Sequence, residues 1–294
     1  MCNILSFDTN KGFRYAIKNI ANSDNMQRLH EQYALWREGE PGPYLRKQSE
    51  AETEQYVSYG TENSALPALL KDHSGVHLAQ LEFGFIPNWR SDRPTDSPFK
   101  AVDRAKKALD IGRKTWNAAS ETMFDEEKRT WKDSAHDRRC VILLNGVYIF
   151  HEQDGVKYPF YIAPSDGDCM PLAGLWDKAT IDGKEHLTCA ILLQEANEAM
   201  NQINNWGEHP YGPHRMPILL SPTDFDQWLE PIHPGDFDRI EALEKIIQHP
   251  KPDALEYMTV AMDGEGVIPN TSLAQEPHTY KELNIDVKGL NNGA

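Results

Sequence analysis

At 294 residues, the chain can bury a full core in one large domain or in one domain with an extension. Its Lys+Arg 30 against Asp+Glu 45 give a formal net charge of -15, which excludes attachment to nucleic acid by bulk charge and leaves room only for a local basic groove. No apolar run approaches the roughly 18 residues of a membrane span, so no membrane partner is expected.

The candidate basic runs are Arg104 to Lys107 with Arg113 and Lys114, and Arg138 with Arg139, which on a helix surface also read as ordinary solvated faces. Cys2, Cys140, Cys169 and Cys189 form no CxxC pair and no zinc spacing, and no secretory leader precedes them. A reduced, cytoplasmic setting is the expectation, without metal or cofactor. Cys140 and Cys189 lie in apolar, strand-like runs, where a buried thiol behaves as a small hydrophobe.

In chain order, Cys2 to Phe7 reads as a strand. Met26, Leu29, Tyr33 and Trp36 recur at helical spacing and predict an amphipathic helix over 24–38, capped by Ser23 or Asp24 and ended by the Gly39 to Pro43 breaker. Ser49 is placed to cap a short helix through Tyr56. His77 to Ile86 alternates as a strand and stops at Pro87, with Asn88 and Trp89 in a loop. Phe99 to Leu109 is helical in pattern. From Arg139 the signal turns to β: Cys140–Leu144, Val147–His151 and Tyr158–Ile162 are separated by Asn145-Gly146 and Asp154-Gly155, and two such turns predict a three-stranded antiparallel meander.

Leu172–Trp176 and His186–Leu193 add strands, and a short helix follows over 195–203. Arg215–Leu220 is a further strand, feeding Ser221-Pro222 at the start of a helix through Leu229. A helix is expected at about 236–248. The division expected is a domain over 1–230 and a helical, polar extension over 231–294, its last part docked or disordered.

Chemically, the first residues matter most. Removal of Met1 would leave Cys2 with an α-amine of reference pKa roughly 7.7–8.0 beside a thiol of roughly 8.5. An amine and a thiol on adjacent carbons trap an aldehyde: the amine forms a Schiff base, and the thiolate closes a five-membered thiazolidine on it. Taken alone, the same cysteine also reads as a small apolar residue leading into a first strand.

Several stretches taken together carry a resemblance: Met1-Cys2, Phe83 to Pro87 with Trp89, Asn117 to Thr122, Arg139-Cys140 leading to Asn145 to Tyr148, Tyr158 to Tyr161, Ala173 to Trp176, and Arg215-Met216-Pro217. In order and spacing they resemble the SRAP family, the SOS-response-associated peptidases, over roughly residues 1–230. The resemblance implies a single α+β domain with a strongly curved, barrel-like, mainly antiparallel sheet flanked by helices. It also implies a DNA–protein crosslinking and autopeptidase activity. After self-removal of Met1, the terminal cysteine captures the ring-opened aldehyde of an abasic site in single-stranded DNA as a thiazolidine. The acting species is expected to be a monomer.

On this resemblance Cys2 is the nucleophile and Asn117 the amide that orients it and the sugar, an amide suiting that work because it both donates and accepts. Trp89 falls where an aromatic packs on bases, and Arg215 belongs to the Arg-Met-Pro motif on the DNA-binding side. Without the family, Asn117 reads equally as a turn or cap and Trp89 as core.

The chain also departs from the pattern. Ile149 stands where the family has a proton-moving glutamate; His151 shares its strand face, and Glu152 is near. Asn204 stands where a histidine precedes Arg-Met-Pro, followed by an apparent insertion that carries His209 and ends before His214. Asn3 replaces a common glycine, and Ala119 an arginine that would meet phosphate. His151, His209 and His214 are thus the candidates for proton transfer beside Cys2 and Asn117. The competing expectations are a catalytically degenerate protein of the same fold that serves as a binding module, and a cysteine-dependent hydrolase of peptides or amides.

Overall fold

A computed structural model of the chain describes residues 2–47, 54–125, 127–205, 214–233, 235–248, 255–263, 268–285 and 290–291. The chain begins with β1 (Ile4–Asp8), whose side chains alternate: Leu5 and Phe7 enter one apolar cluster and Ile4 another on the opposite face. Asp8 ends the strand and caps α1 (Thr9–Asn19) by accepting from the Lys11 amide. Asn22 caps α2 (Ser23–Arg37), which buries Leu29 and Trp36 as its spacing predicts.

The expected helix from Ser49 to Tyr56 is corrected over its described part. Residues 54–56 belong to β2 (Glu54–Tyr59), paired antiparallel with β1, and Ser49 lies outside the described residues. The backbone there is claimed by the edge of β1, with Gln55 opposite Phe7, and that ladder overrides a weak local cap signal.

The next elements are β3 (Ala65–Asp72), β4 (Gly75–Phe83), α3 (Pro98–Gly112), β5 (Asn117–Ala119) and α4 (Lys132–Asp137). They lead into β6 (Arg139–Leu144), β7 (Gly146–Gln153), β8 (Val156–Pro164), β9 (Met170–Ile181) and β10 (Lys184–Glu195). The chain continues through α5 (Glu198–Ile203), β11 (Arg215–Pro217), α6 (Phe225–Leu229) and α7 (Phe237–Ile247) to β12 (Leu255–Thr259) and β13 (Leu290–Asn291).

Strands β4, β3, β6, β9 and β10 close into a ring, because β10 pairs with β9 on one side and with β4 on the other. A ring of five strands cannot close with antiparallel pairs alone. The parallel contact of Thr188–Cys189 on Glu82–Phe83 supplies the required exception. Both faces of this barrel are buried, which is why Cys140 to Leu144 reads as an unbroken apolar run. Ile142 and Leu172 join one cluster with Leu66 and Ala68; Val141 and Leu175 join another with Phe13, Trp36, Phe225 and Trp228 of the helices.

The other sheet runs β13-β12-β8-β7-β1-β2, and its Leu5, Phe7, Val147, Ile149 and Phe160 pack into the same cluster as Ile142. Among the described residues beyond Pro231, two strands extend this sheet, β12 antiparallel to β8 and β13 parallel to β12. The result is an α+β fold with a barrel-like, mainly antiparallel core. Among the described residues, no helix is long and apolar enough to cross a membrane.

The three-stranded meander is half right. Asp154 and Gly155, with φ of 53° and 79°, form the tight turn that joins β7 to β8. Asn145-Gly146 makes no hairpin: β6 stays in the barrel while β7 leaves for the other sheet, with β1 as its partner. The Asn145 amide donates to the Ser6 carbonyl, and a Cβ on Gly146 would lie 2.6 Å from the Ile162 carbonyl oxygen. The glycine is needed for the close approach of β7 to Tyr161 and Ile162 of its neighbour β8, not for a turn.

Arg139 is no part of a basic surface. It is 2% exposed and donates to the backbone carbonyls of Ala135, His136, Trp228 and Glu230. Trp228 in turn donates its indole N–H to the Cys140 carbonyl at 2.9 Å. That arginine pins α4 and α6 to the barrel.

Candidate active site at the amino terminus

Residues 2 and 3 approach β1 between two clamps. Asn117 opens β5, which lies parallel to β10 with Asn117 in register with Ile191, so its side chain shares the Ile191 face, that of the cluster containing Cys2. From there its Nδ2 donates to the Cys2 carbonyl oxygen and to the Trp116 carbonyl oxygen, both at 3.0 Å. The second clamp is backbone: the Gly60 amide donates to the Asn3 carbonyl at 2.7 Å. Trp116 closes the loop by donating its indole N–H to the Gly60 carbonyl at 3.0 Å. A Cβ at position 60 would stand 2.7 Å from that indole, so only glycine fits.

The electrostatics are those of a dry thiol. Cys2 is 2% exposed, and burial pushes its thiol up to about 12. Among the described residues, no side chain hydrogen-bonds to the Cys2 sulfur. Asn117 Oδ1 is buried with no partner among them. An acceptor left unpaired in this way costs about 1–3 kcal/mol and suits a site that meets its partner only when loaded. Among the described residues no cluster of His, Cys, Asp and Glu could hold a metal ion.

The other residues singled out in the sequence lie around this centre. Ile149 is on the barrel-facing side of β7, and the register of Leu5 with Val147 runs residue 3 opposite it. His151 is on the same face but is anchored elsewhere, its Nδ1 3.0 Å from the Gln202 carbonyl oxygen and its ring edge-on to Phe160. Asn204 is buried and donates to the Arg215 carbonyl oxygen at 3.1 Å, while Asn205 pairs through its amide with the backbone of Glu152. Both asparagines serve to fasten the end of α5. His209 lies outside the described residues.

His214 is half-buried; its carbonyl accepts from the Ala196 amide and its Nδ1 is buried without a partner among the described residues. Arg215 pairs with Glu121 across the end of β10. The registers of β5 and β11 on β10 put Arg215 and Asn117 on one face. Trp89 sits in a single 3-10 turn, Asn88–Arg90, half-buried, with the guanidinium groups of Arg90 and Arg129 4.1 and 4.9 Å from its ring centroid. Gly60 and Trp116 are the pieces that sequence reading misses. A tryptophan directly before Asn117 was the one available signal, whereas Gly60 is unremarkable until its carbonyl is seen capped.

Comparison with known proteins agrees with this architecture. A crystal structure of a Bacteroides thetaiotaomicron protein matches with a TM-score of 0.68 at 21% identity, covering 94% of this chain and 100% of that one. One from Bordetella bronchiseptica matches with a TM-score of 0.56 at 15% identity over 89% of this chain and 100% of that one. The abasic site processing protein YoqW of Bacillus subtilis is 27% identical over 221 residues, 70% of this chain and 87% of its own length. The abasic site processing protein HMCES of Xenopus tropicalis is 26% identical over 222 residues, 66% of this chain and 57% of its own. The SOS response associated peptidase (SRAP) family model matches residues 13–263, and the chain belongs to that family.

Proposed function

We propose that this protein processes abasic sites, the role named for its relatives, and that it does so in single-stranded DNA by covalent capture through Cys2. Hydrolysis of the Met1–Cys2 bond consumes one water and frees the Cys2 α-amine. The amine condenses with the C1′ aldehyde of the open sugar and loses one water as the imine forms. The Cys2 sulfur then adds to the imine carbon, its proton passing to nitrogen, and a thiazolidine remains. Ring closure is intramolecular and needs no second encounter.

The observation that carries this reading is the Asn117–Cys2 contact, with Oδ1 of the same amide left open. Nδ2 fixes the backbone of the nucleophile, and Oδ1 accepts from the α-amine or a sugar hydroxyl. His151 and His214 are the proton-transfer groups of this reading; general acid–base help is typically worth about 10²–10⁴-fold. Trp89 stacks on a base and Arg215 meets the strand. The protein acts as a monomer in the reducing cytoplasm, in keeping with four buried free thiols. Incubation with single-stranded DNA holding one abasic site should give a heat-stable protein–DNA band, absent with Cys2→Ala. No band from wild type refutes the proposal.

A second reading has its own observations. Ile149 moves no protons, and Asn204 is spent on the Arg215 carbonyl, which favours a degenerate member that binds without reacting. Retention of Met1, if read in the intact mass of purified protein, would support that reading, since no free α-amine would then exist.

A further inference from the structure

Helix α3 carries a feature that the Cys2 chemistry does not use. Residues 88–114 hold eight of the 30 Lys+Arg but only four of the 45 Asp+Glu, a positive segment in a chain of net charge -15. Three of those acids are committed within the protein: Asp96 to Arg104, Asp103 to Lys107, and Asp92 to the amides of Asp182 and Gly183. Lys100, Lys106, Arg113 and Lys114 are exposed and make no ion pair among the described residues. Beside them, one turn apart on the outward face, Phe99 is 84% and Val102 70% exposed. The opposite face packs Ala105, Ala108 and Leu109 on Ile86, Ala179 and Ile181, so α3 is seated and its apolar outer side is not a core face left open.

Its placement relates it to the candidate site. A Cβ on Gly84 would lie 2.3 Å from the Gly112 carbonyl oxygen, so the end of α3 presses on the strand that leads to Trp89. The Phe85 amide donates to the Thr115 carbonyl at 2.8 Å, and Asn117 is two residues further on. Arg113 and Lys114 are therefore within ~17 Å of Asn117 along the chain. The 15 residues of α3 carry Phe99 a further ~20 Å away.

We propose that the outward face of α3 is a track for single-stranded DNA flanking the abasic nucleotide: Phe99 stacks on a base, and Lys100, Lys106, Arg113 and Lys114 meet phosphates. The inference rests on the abasic-site reading for its place in the reaction, but not for its chemistry. A cationic groove combined with exposed aromatics is how single strands are held without sequence preference. Charge complementarity names the occupant, because a neutral or basic protein partner would gain nothing from the unpaired cations.

The test uses the full chain and undamaged oligo-dT of about 5 and about 20 nucleotides, with affinity read by anisotropy across a salt series. Lys100→Glu/Lys106→Glu should weaken binding of the longer strand at least fivefold and flatten the salt dependence by about 1.4 in log–log slope, about 0.7 for each lost phosphate contact. Phe99→Ala should weaken it about tenfold at unchanged slope, and both changes should weaken binding of the short strand in the same sense, since nothing in undamaged DNA anchors it away from α3. Wild-type affinity and slope in these variants, or no binding of the longer strand by wild type, overturns the inference. Because undamaged DNA cannot crosslink, a failure of Cys2 capture on abasic DNA reads separately and leaves this result standing.

Discussion

The side-chain amide of Asn117 donates to the carbonyl oxygen of Cys2 at 3.0 Å while its own oxygen stays unpaired. One residue thus holds the backbone of the proposed nucleophile and offers an acceptor beside it. Asn117→Ala removes both functions and little packing. Crosslinking under single-turnover conditions should slow by about 10–100-fold, the worth of one or two positioned hydrogen bonds, beside a stability loss of about 1–3 kcal/mol from the carbonyls left without a donor. An unaltered rate would show that the amide is structural only.

The indole of Trp116 holds the Gly60 carbonyl, and the Gly60 amide holds the Asn3 carbonyl. Trp116→Phe leaves the Gly60 carbonyl without its donor and should cost about 1–3 kcal/mol of stability. Gly60→Ala should be worse, since its Cβ meets the indole at 2.7 Å. Chemical denaturation of both variants checks the order. Equal stability of the two would contradict the clamp.

Burial pushes the Cys2 thiol up to about 12, and the thiolate is the nucleophile. The reactive fraction therefore grows with pH. Crosslinking should speed up with pH as the α-amine deprotonates near 8, and continue to rise about tenfold per pH unit above that, without levelling at the ordinary thiol value of roughly 8.5. A plateau at that ordinary value would mean the thiol is solvated when it reacts.

Arg139 satisfies four backbone carbonyls from α4, α6 and the residue that follows α6. Arg139→Met keeps the stem and strands those acceptors. A loss of about 3 kcal/mol or more is expected, a fall in melting temperature of roughly 6 °C or more by calorimetry. A shift within roughly 2 °C would show that water replaces the guanidinium at no cost.

Sequence pattern was most legible where one face of an element is polar. The predicted helix over 24–38 and the turn at Asp154-Gly155 appear nearly as read, as α2 and the β7–β8 hairpin. In the barrel, where both faces are buried, β4, β6, β9 and β10 were read as strands from their apolar runs, whereas β3, with Leu66, Ala68, Leu69 and Leu70 all buried and Pro67 inside it, gave no strand reading. Asn145-Gly146 misled because the same dipeptide serves a hairpin turn or a tight crossing between layers, and only the partner strand decides. At the site, Cys2 and Asn117 were found from motif order, and the structure puts them in contact. Gly60 and Trp116 were not found, because their part depends on backbone atoms that the sequence does not display.

The most direct measurement is the intact mass of the reaction product between wild-type protein, already confirmed to lack Met1, and an abasic single-stranded oligonucleotide. The account predicts a species equal to protein plus DNA less one water, localised by peptide mapping to Cys2. Unchanged masses of protein and oligonucleotide after prolonged incubation, with the amino terminus free, would contradict it.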